Sequence, residues 1–265
     1  MRTALVFVAV AGCVWAALAW LAHHSAFFPM RHPQGWWHVQ QELGAEDVWL
    51  TASDGVKLHA WWLGCTDSRV ATLFLHGNAG NVTHRGDALR EIRAAGSSVL
   101  LLDYRGYGKS QGSPSEAGLY RDAEAAYSWL LAKGFAEAEI VIHGESLGTA
   151  VAVDLASRRL CKALVLEAPF SSARDVAQTV LPGIGGLVMW GFDSMAKIGR
   201  VRVPVLVLHG DADEVIDIRL GRRLFAAAQE PKQMWVIEGG GHNNIVEAAG
   251  REYGKRLGAI YRGGD

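Results

Sequence analysis

Cysteine is scarce in this chain, with three in 265 residues, at Cys13, Cys65 and Cys161. So few exclude a disulfide-stapled scaffold, and their spacing matches no zinc or redox motif. Cys13 lies in an apolar stretch. Cys65 and Cys161 read most simply as unlinked thiols, with one bridge between them as the alternative. Charge of either sign is also in short supply: 26 Lys and Arg balance 27 Asp and Glu, for a formal net charge of −1. No basic stripe breaks that balance, which excludes nucleic acid as an electrostatically driven partner. No internal repeat, low-complexity tract or phosphate-cradling glycine loop is visible, and no His/Cys/Asp cluster has metal-ligand spacing. Neither a cofactor nor a metal is expected.

What the chain does have is apolar mass, 50% of its residues against 20% charged. At this length it suits one large α/β domain carrying an additional hydrophobic segment. Thr3–Ala22 supplies that segment: 20 residues without a formal charge after Met1 and Arg2. As a helix it would span about 30 Å, the thickness of a bilayer's hydrocarbon core. The spacing predicts a transmembrane signal anchor over residues 1–26, making the protein single-pass and membrane-bound through this helix. Trp15, Trp20, Trp36 and Trp37 would serve at or near the interface. Positive charge at Met1 and Arg2 against Arg31 beyond predicts the catalytic domain on the extracytoplasmic side. Two alternatives compete: signal-peptide cleavage near Ala17-Leu18-Ala19, and a lipoprotein site at Val10-Ala11-Gly12-Cys13.

Residues 27–45, rich in Pro, Gly, Trp and His, read as a linker packing onto a domain over 46–265. From there β-like runs alternate with helical patterns. Val48–Thr51 and Lys57–Leu63 form a hairpin around Asp54-Gly55. Strands follow at Val70–Leu75, Ser98–Asp103, Glu139–His143, Ala163–Glu167, Val203–His209 and Gln233–Glu238. Helices are expected at Val82–Ala94 and at Glu116–Lys133, the latter entered through Ser113-Pro114-Ser115-Glu116. This alternation predicts an α/β fold: a mostly parallel, doubly wound sheet with helices on both faces. Ligands in such sheets bind beyond the carboxyl ends of the strands.

The most informative words are Ile140–Gly148, I-V-I-H-G-E-S-L-G, followed by T-A-V-A-V-D-L-A. A β-branched run, a Gly-x-Ser-x-Gly turn and a small-residue helix together make a nucleophile elbow. A serine hydroxyl is a weak nucleophile at its own pKa, so it must be held within reach of a base and beside amides that can meet an oxyanion. Ser146 is the expected nucleophile of a serine hydrolase. In this architecture the acid and then the base follow in the chain. H-G-D-A-D-E-V-I (209–216) ends one strand and E-G-G-G-H-N-N (238–244) follows the next. His242 is therefore the expected base. Asp211 and Asp213 both sit on the acid loop; the spacing from His209-Gly210 favours Asp213 as the orienting carboxylate, leaving Asp211 to turn hydrogen bonds and Asp217 to cap the next helix. The expected oxyanion donors are the backbone N–H groups of Leu147, directly after the nucleophile, and of Asn78, in the H-G-N-A-G-N loop after Val70–Leu75. His76, His143 and His209 read as packed and hydrogen-bonded, Asp103 and Arg105 as loop braces, and Glu145 as a structural partner.

These motifs carry a resemblance. H-G-N-A-G-N (76–81), D-Y-R-G-Y-G-K-S-Q-G-S-P-S-E-A-G-L-Y (103–120), G-E-S-L-G (144–148), F-D-S-M-A-K-I (192–198) and H-G-D-A-D-E-V-I (209–216) resemble the α/β-hydrolase superfamily. Within it they are similar to a membrane-anchored branch that holds the bud-emergence-related proteins and the animal ABHD depalmitoylase-type enzymes. The likeness covers most of Val48–Leu257 and implies a nucleophile at Ser146, an acid at Asp213 and a base at His242. The animal enzymes carry a cysteine-rich N-terminal region, whereas this chain has only Cys13 there.

Between Phe170 and Arg202 lies an insertion of about 30 residues containing L-P-G-I-G-G-L-V-M-W-G-F. It is expected to form a short apolar cap favouring acyl chains over charged groups. The sequence thus points to hydrolysis of carboxylic esters or thioesters of small-molecule acyl substrates by an acyl-enzyme route. The alternatives are a serine aminopeptidase-like hydrolase and a non-catalytic, membrane-tethered binding scaffold.

Overall fold

A computed structural model describes residues 12–19, 21, 26–66 and 68–263. Among them an eight-stranded sheet forms the frame: β1 (Glu46–Thr51), β2 (Lys57–Leu63), β3 (Ala71–Leu75), β4 (Ser98–Asp103), β5 (Ile140–Glu145), β6 (Ala163–Glu167), β7 (Val205–Gly210) and β8 (Lys232–Ile237), in spatial order β8-β7-β6-β5-β3-β4-β2-β1. β1 and β2 form the antiparallel hairpin and β2 pairs antiparallel with β4; every other pairing is parallel.

The central strands are buried along their whole length, and their side chains alternate between two cores. Leu73 and Leu75 face one cluster while Phe74 faces the other; Leu100 and Leu102 are separated in the same way from Leu101. This is the period of two that a pleated strand imposes. Helices α2 (Glu116–Ala132) and α3 (Leu147–Ala156) cover the first cluster, while α1 (Gly86–Ala94) and α5 (Arg251–Arg262) cover the second. α4 (Ile218–Ala227) packs beside β7 and is capped by the Asp217 carboxylate, which accepts the Arg219 N–H. Ser115 caps α2 by accepting from Gly118 N–H. The single helix expected over Val82–Ala94 is instead a 3-10 turn, Val82–His84, and then α1, with Arg85 between them. Cys65 and Cys161 are unlinked, and burial pushes the Cys161 thiol up to about 12.

The expected membrane anchor and single-pass location require correction. No helix among the described residues is long and apolar enough to cross a membrane. Of the proposed span, residues 12–19 and 21 are helical; residues 1–11, 20 and 22–25 lie outside the described residues. This piece has partners on the domain instead: the Trp15 indole donates to the Leu187 carbonyl at 2.9 Å and stacks on Trp190, with ring centroids 5.9 Å apart. Trp36 and Trp37, read as interfacial, also lie against the domain, Trp36 on His84 and Trp37 edge-on to Trp61. The other large apolar side chains described in the helical piece, Val14, Leu18 and Leu21, are exposed.

Candidate active site

β5 ends in a turn too tight for side chains at its flanks. A Cβ on Gly144 would lie 2.4 Å from the Gly148 carbonyl oxygen, and one on Gly148 would lie 1.9 Å from that of Leu75. Ser146, between them, is held at φ 51°, ψ −115°, a region that residues with a side chain rarely occupy. Its N–H donates to the Glu167 carbonyl at 2.8 Å, tying the elbow to the end of β6. The wholly buried α3 starts at Leu147, so its N-terminal amides lie beside Ser146.

The loops after β7 and β8 supply the remaining groups. His242 Nε2 lies 3.0 Å from Ser146 Oγ, and its Nδ1 lies 2.9 Å from Asp213 Oδ2. Asp213 is itself over-determined: Oδ1 accepts from Val215 N–H at 2.9 Å and Ile216 N–H at 2.8 Å, and His209 Nε2 lies 3.3 Å from Oδ2. Burial raises the pKa of this carboxyl, but the hydrogen bonds from His209, His242 and Ile216 outweigh it and hold the group well below the usual carboxylate range. Asp211 has no such place; its Oδ1 accepts the Gly239 N–H at 2.7 Å and fastens the two loops together.

Asn78 and Leu147 line the same cavity as Ser146 and His242. The side chain of Asn78 is occupied elsewhere, accepting from the Tyr107 hydroxyl at 2.9 Å and donating to the Ala26 carbonyl at 2.6 Å. The other polar residues singled out in the sequence brace this arrangement. His76 is buried, with its Nδ1 2.7 Å from the Gly77 carbonyl; burial and then the Arg85 charge lower its pKa to about 3, so it stays neutral. His143 Nε2 lies 2.7 Å from Glu167, which also accepts from Tyr253. Asp103 accepts the Val82 N–H, and Arg105 binds Asp122 and Asp54. Glu145 receives Arg85 Nε at 2.8 Å.

The cavity above Ser146 has a volume of about 870 Å³. Phe170, Val176, Met189, Trp190 and Phe192 of the insertion give it an apolar roof, and Phe27 contributes a wall. Sequence reasoning did not single out Phe27, Ala26 or Arg85. Their places depend on partners distant along the chain, Asn78 for Ala26, Phe192 for Phe27 and Glu145 for Arg85, which no local pattern signals. Among the described residues no three His, Cys, Asp or Glu side chains are grouped as metal ligands.

Comparison with known proteins agrees with this architecture. Residues 66–197 and 184–249 match the family described as "Serine aminopeptidase, S33". An uncharacterized protein of Mycobacterium tuberculosis is 42% identical over 210 residues, covering 77% of this chain and 75% of the relative. Human alpha/beta hydrolase domain-containing protein 17C is 37% identical over 219 residues, covering 79% of this chain and 64% of that protein. An esterase of Pyrococcus furiosus superposes with a TM-score of 0.75 at 20% identity, covering 89% of this chain and 97% of the esterase, a likeness of fold. A family match over more than half of the chain, joined to relatives of this identity and to this sheet order, places the protein in the serine aminopeptidase S33 family of α/β hydrolases.

Proposed function

We propose that this protein hydrolyses carboxylic ester or thioester bonds of small acyl substrates through Ser146, His242 and Asp213. One observation carries the reading: Asp213, His242 and Ser146 form an unbroken hydrogen-bonded chain at the floor of an apolar cavity of about 870 Å³. In the reaction, His242 Nε2 takes the hydroxyl proton as Ser146 Oγ attacks the acyl carbon. The N–H groups of Leu147 and Asn78 receive the developing oxyanion. His242 then protonates the leaving alcohol or thiol, and water repeats the sequence on the acyl-enzyme. Asp213 keeps the imidazole proton on Nδ1 and stabilises the imidazolium as it forms.

Esters are favoured over free-amine substrates by the state of the carboxylates at the cavity. An aminopeptidase needs an acceptor for an ammonium group. Glu116 already accepts from Phe192 N–H and Tyr120, both at 2.7 Å, and Glu145 is paired with Arg85. The test is fluorophosphonate labelling, followed by a panel of acyl esters of graded length, acyl thioesters and aminoacyl amides. Wild type is expected to label and to turn over esters, whereas Ser146→Ala does not label and loses about 10³–10⁶-fold in turnover. Labelling of Ser146→Ala at the wild-type rate refutes the nucleophile. Preference for aminoacyl amides over esters replaces the ester reading with the peptidase one.

A further inference from the structure

The Asn78 side chain joins the proposed oxyanion loop to the junction between the segments that the sequence assigns to an anchor (1–26) and a linker (27–45). Its Nδ2 donates to the Ala26 carbonyl at 2.6 Å, and its Oδ1 accepts from Phe28 N–H at 3.3 Å and from the Tyr107 hydroxyl at 2.9 Å. Two of these three partners precede Asn78 by about fifty residues. Further bonds stitch the same segment to the loop. Phe28 and Pro29 pair in parallel with Ala79 and Gly80, Met30 N–H donates to the Gly80 carbonyl at 3.0 Å, and Asn81 Nδ2 donates to the Met30 carbonyl at 3.0 Å. The segment then crosses to the loop after β4, where Gly108 N–H donates to the Met30 carbonyl and His32 N–H to the Gly108 carbonyl. Tyr107 belongs to that second loop, and burial raises its phenol pKa, which keeps it a donor to Asn78. Ala26 and Phe27 line the cavity, and the Phe27 ring meets Phe192 of the cap edge-on with centroids 6.1 Å apart.

We infer that residues 26–32 form a strap belonging to the active site, with the Asn78 side chain as the positioning residue that locks the oxyanion loop to it and Phe27 as the strap's contribution to acyl-chain selection. The inference rests on the reading above, in which the Asn78 backbone N–H stabilises the oxyanion. A backbone donor cannot be deleted by mutation, but its placement can be loosened. Removing one oxyanion donor outright lowers kcat about 10²–10³-fold. A donor that survives but drifts gives up part of that, because misplacement of about 1 Å is enough to matter. Phe27 has a different effect: it is a wall of the cavity, so its truncation alters the space offered to the acyl chain and leaves the oxyanion loop clamped.

The experiment is steady-state kinetics of full-length variants on p-nitrophenyl esters of graded chain length, beside thermal midpoints. Asn78→Ala keeps the backbone N–H and loses the clamp; the expected result is a fall in kcat of about 10–100-fold with KM within about threefold. Asn78→Asp keeps the size and the acceptor for Tyr107 and Phe28 but opposes a carboxylate to the Ala26 carbonyl, so the same kcat-selective fall is expected. Phe27→Ala should shift the preferred chain length and raise KM for the ester that wild type prefers. If Asn78→Ala does not fold, Asn78→Asp and Tyr107→Phe carry the test. Values of kcat within twofold of wild type for the Asn78 variants, or losses that follow a lowered thermal midpoint and vanish on cooling, overturn the strap's positioning role. Failure of the hydrolase reading itself is distinct: wild type would then show neither fluorophosphonate labelling nor ester turnover.

Discussion

Replacing Asp213 with asparagine changes one atom and, on this geometry, reverses the proton inventory of the site. Oδ1 of Asp213 accepts two backbone N–H groups, from Val215 and Ile216. Turning an amide nitrogen toward them would leave donors facing donors, at about 1–3 kcal/mol for each group left unsatisfied. The asparagine oxygen is therefore fixed at that end, and its NH₂ takes the place of Oδ2, 2.9 Å from His242 Nδ1. An NH₂ there donates to Nδ1 and drives the imidazole proton to Nε2. That nitrogen lies 3.0 Å from Ser146 Oγ and can no longer accept the hydroxyl proton. Loss of the correct tautomer lowers kcat by about 10⁴-fold in Ser-His-Asp sites, which is about 5.4 kcal/mol of barrier at 1.36 kcal/mol per decade. Ester turnover and the rate of fluorophosphonate labelling at pH 7 should both collapse while the fold persists. Asp211→Asn is the matched control. Its oxygen can still accept the Gly239 N–H, so turnover should stay within about threefold of wild type. An Asp213→Asn enzyme within tenfold of wild type, or a collapse on Asp211→Asn alone, would refute the assignment.

Asp213 also predicts a pH dependence of stability. Its folded pKa lies below the unfolded value of about 3.9, so its contribution is complete above that value and is lost as pH falls through the folded pKa. Urea midpoints taken from pH 6 down to pH 2 should accordingly fall less steeply for Asp213→Asn than for wild type. Gly148→Ala should abolish soluble expression or lower the thermal midpoint by well over 5 °C, because its methyl would meet the Leu75 backbone rather than a movable side chain. Asp122→Ala removes the buried one of the two carboxylates on Arg105, with Asp54 remaining, and should cost about 1–3 kcal/mol by chemical denaturation, whereas Asp87→Ala, at an exposed pair with Arg90, should cost less than about 1 kcal/mol.

The frame of the molecule was legible because its signals are local. Ser98–Asp103 and Ala163–Glu167 are buried runs whose ends coincide with their strands, and the Ile140–Glu145 strand turns where its glycines permit nothing larger. The three side chains that meet at Ser146 could be nominated from chain order, since each follows a recognisable strand. The loop after β3 was equally visible as a glycine-bearing turn. What holds that loop was not: Phe28 and Pro29 form a two-residue pairing with Ala79 and Gly80, too short for any periodicity and specified only by contact with the loop. The apolar N-terminal run misled for a related reason. Hydropathy averages over a run and is blind to the partner of any one side chain: among its described residues Val14 and Leu18 are exposed, while Trp15 bonds to and stacks on the cap. Likewise, the break at Arg85 lies where its guanidinium reaches Glu145, sixty positions on.

The backbone at Ser146 has a consequence for any attempt to make this protein more robust. A residue with a side chain at φ 51°, ψ −115° carries strain of about 1–3 kcal/mol, which glycine would not carry. At this position the substitution that relieves the backbone is thus the one that removes the proposed nucleophile. Selection for thermal endurance alone, with no demand for turnover, would therefore favour its loss and leave a sturdier and inert copy of the protein.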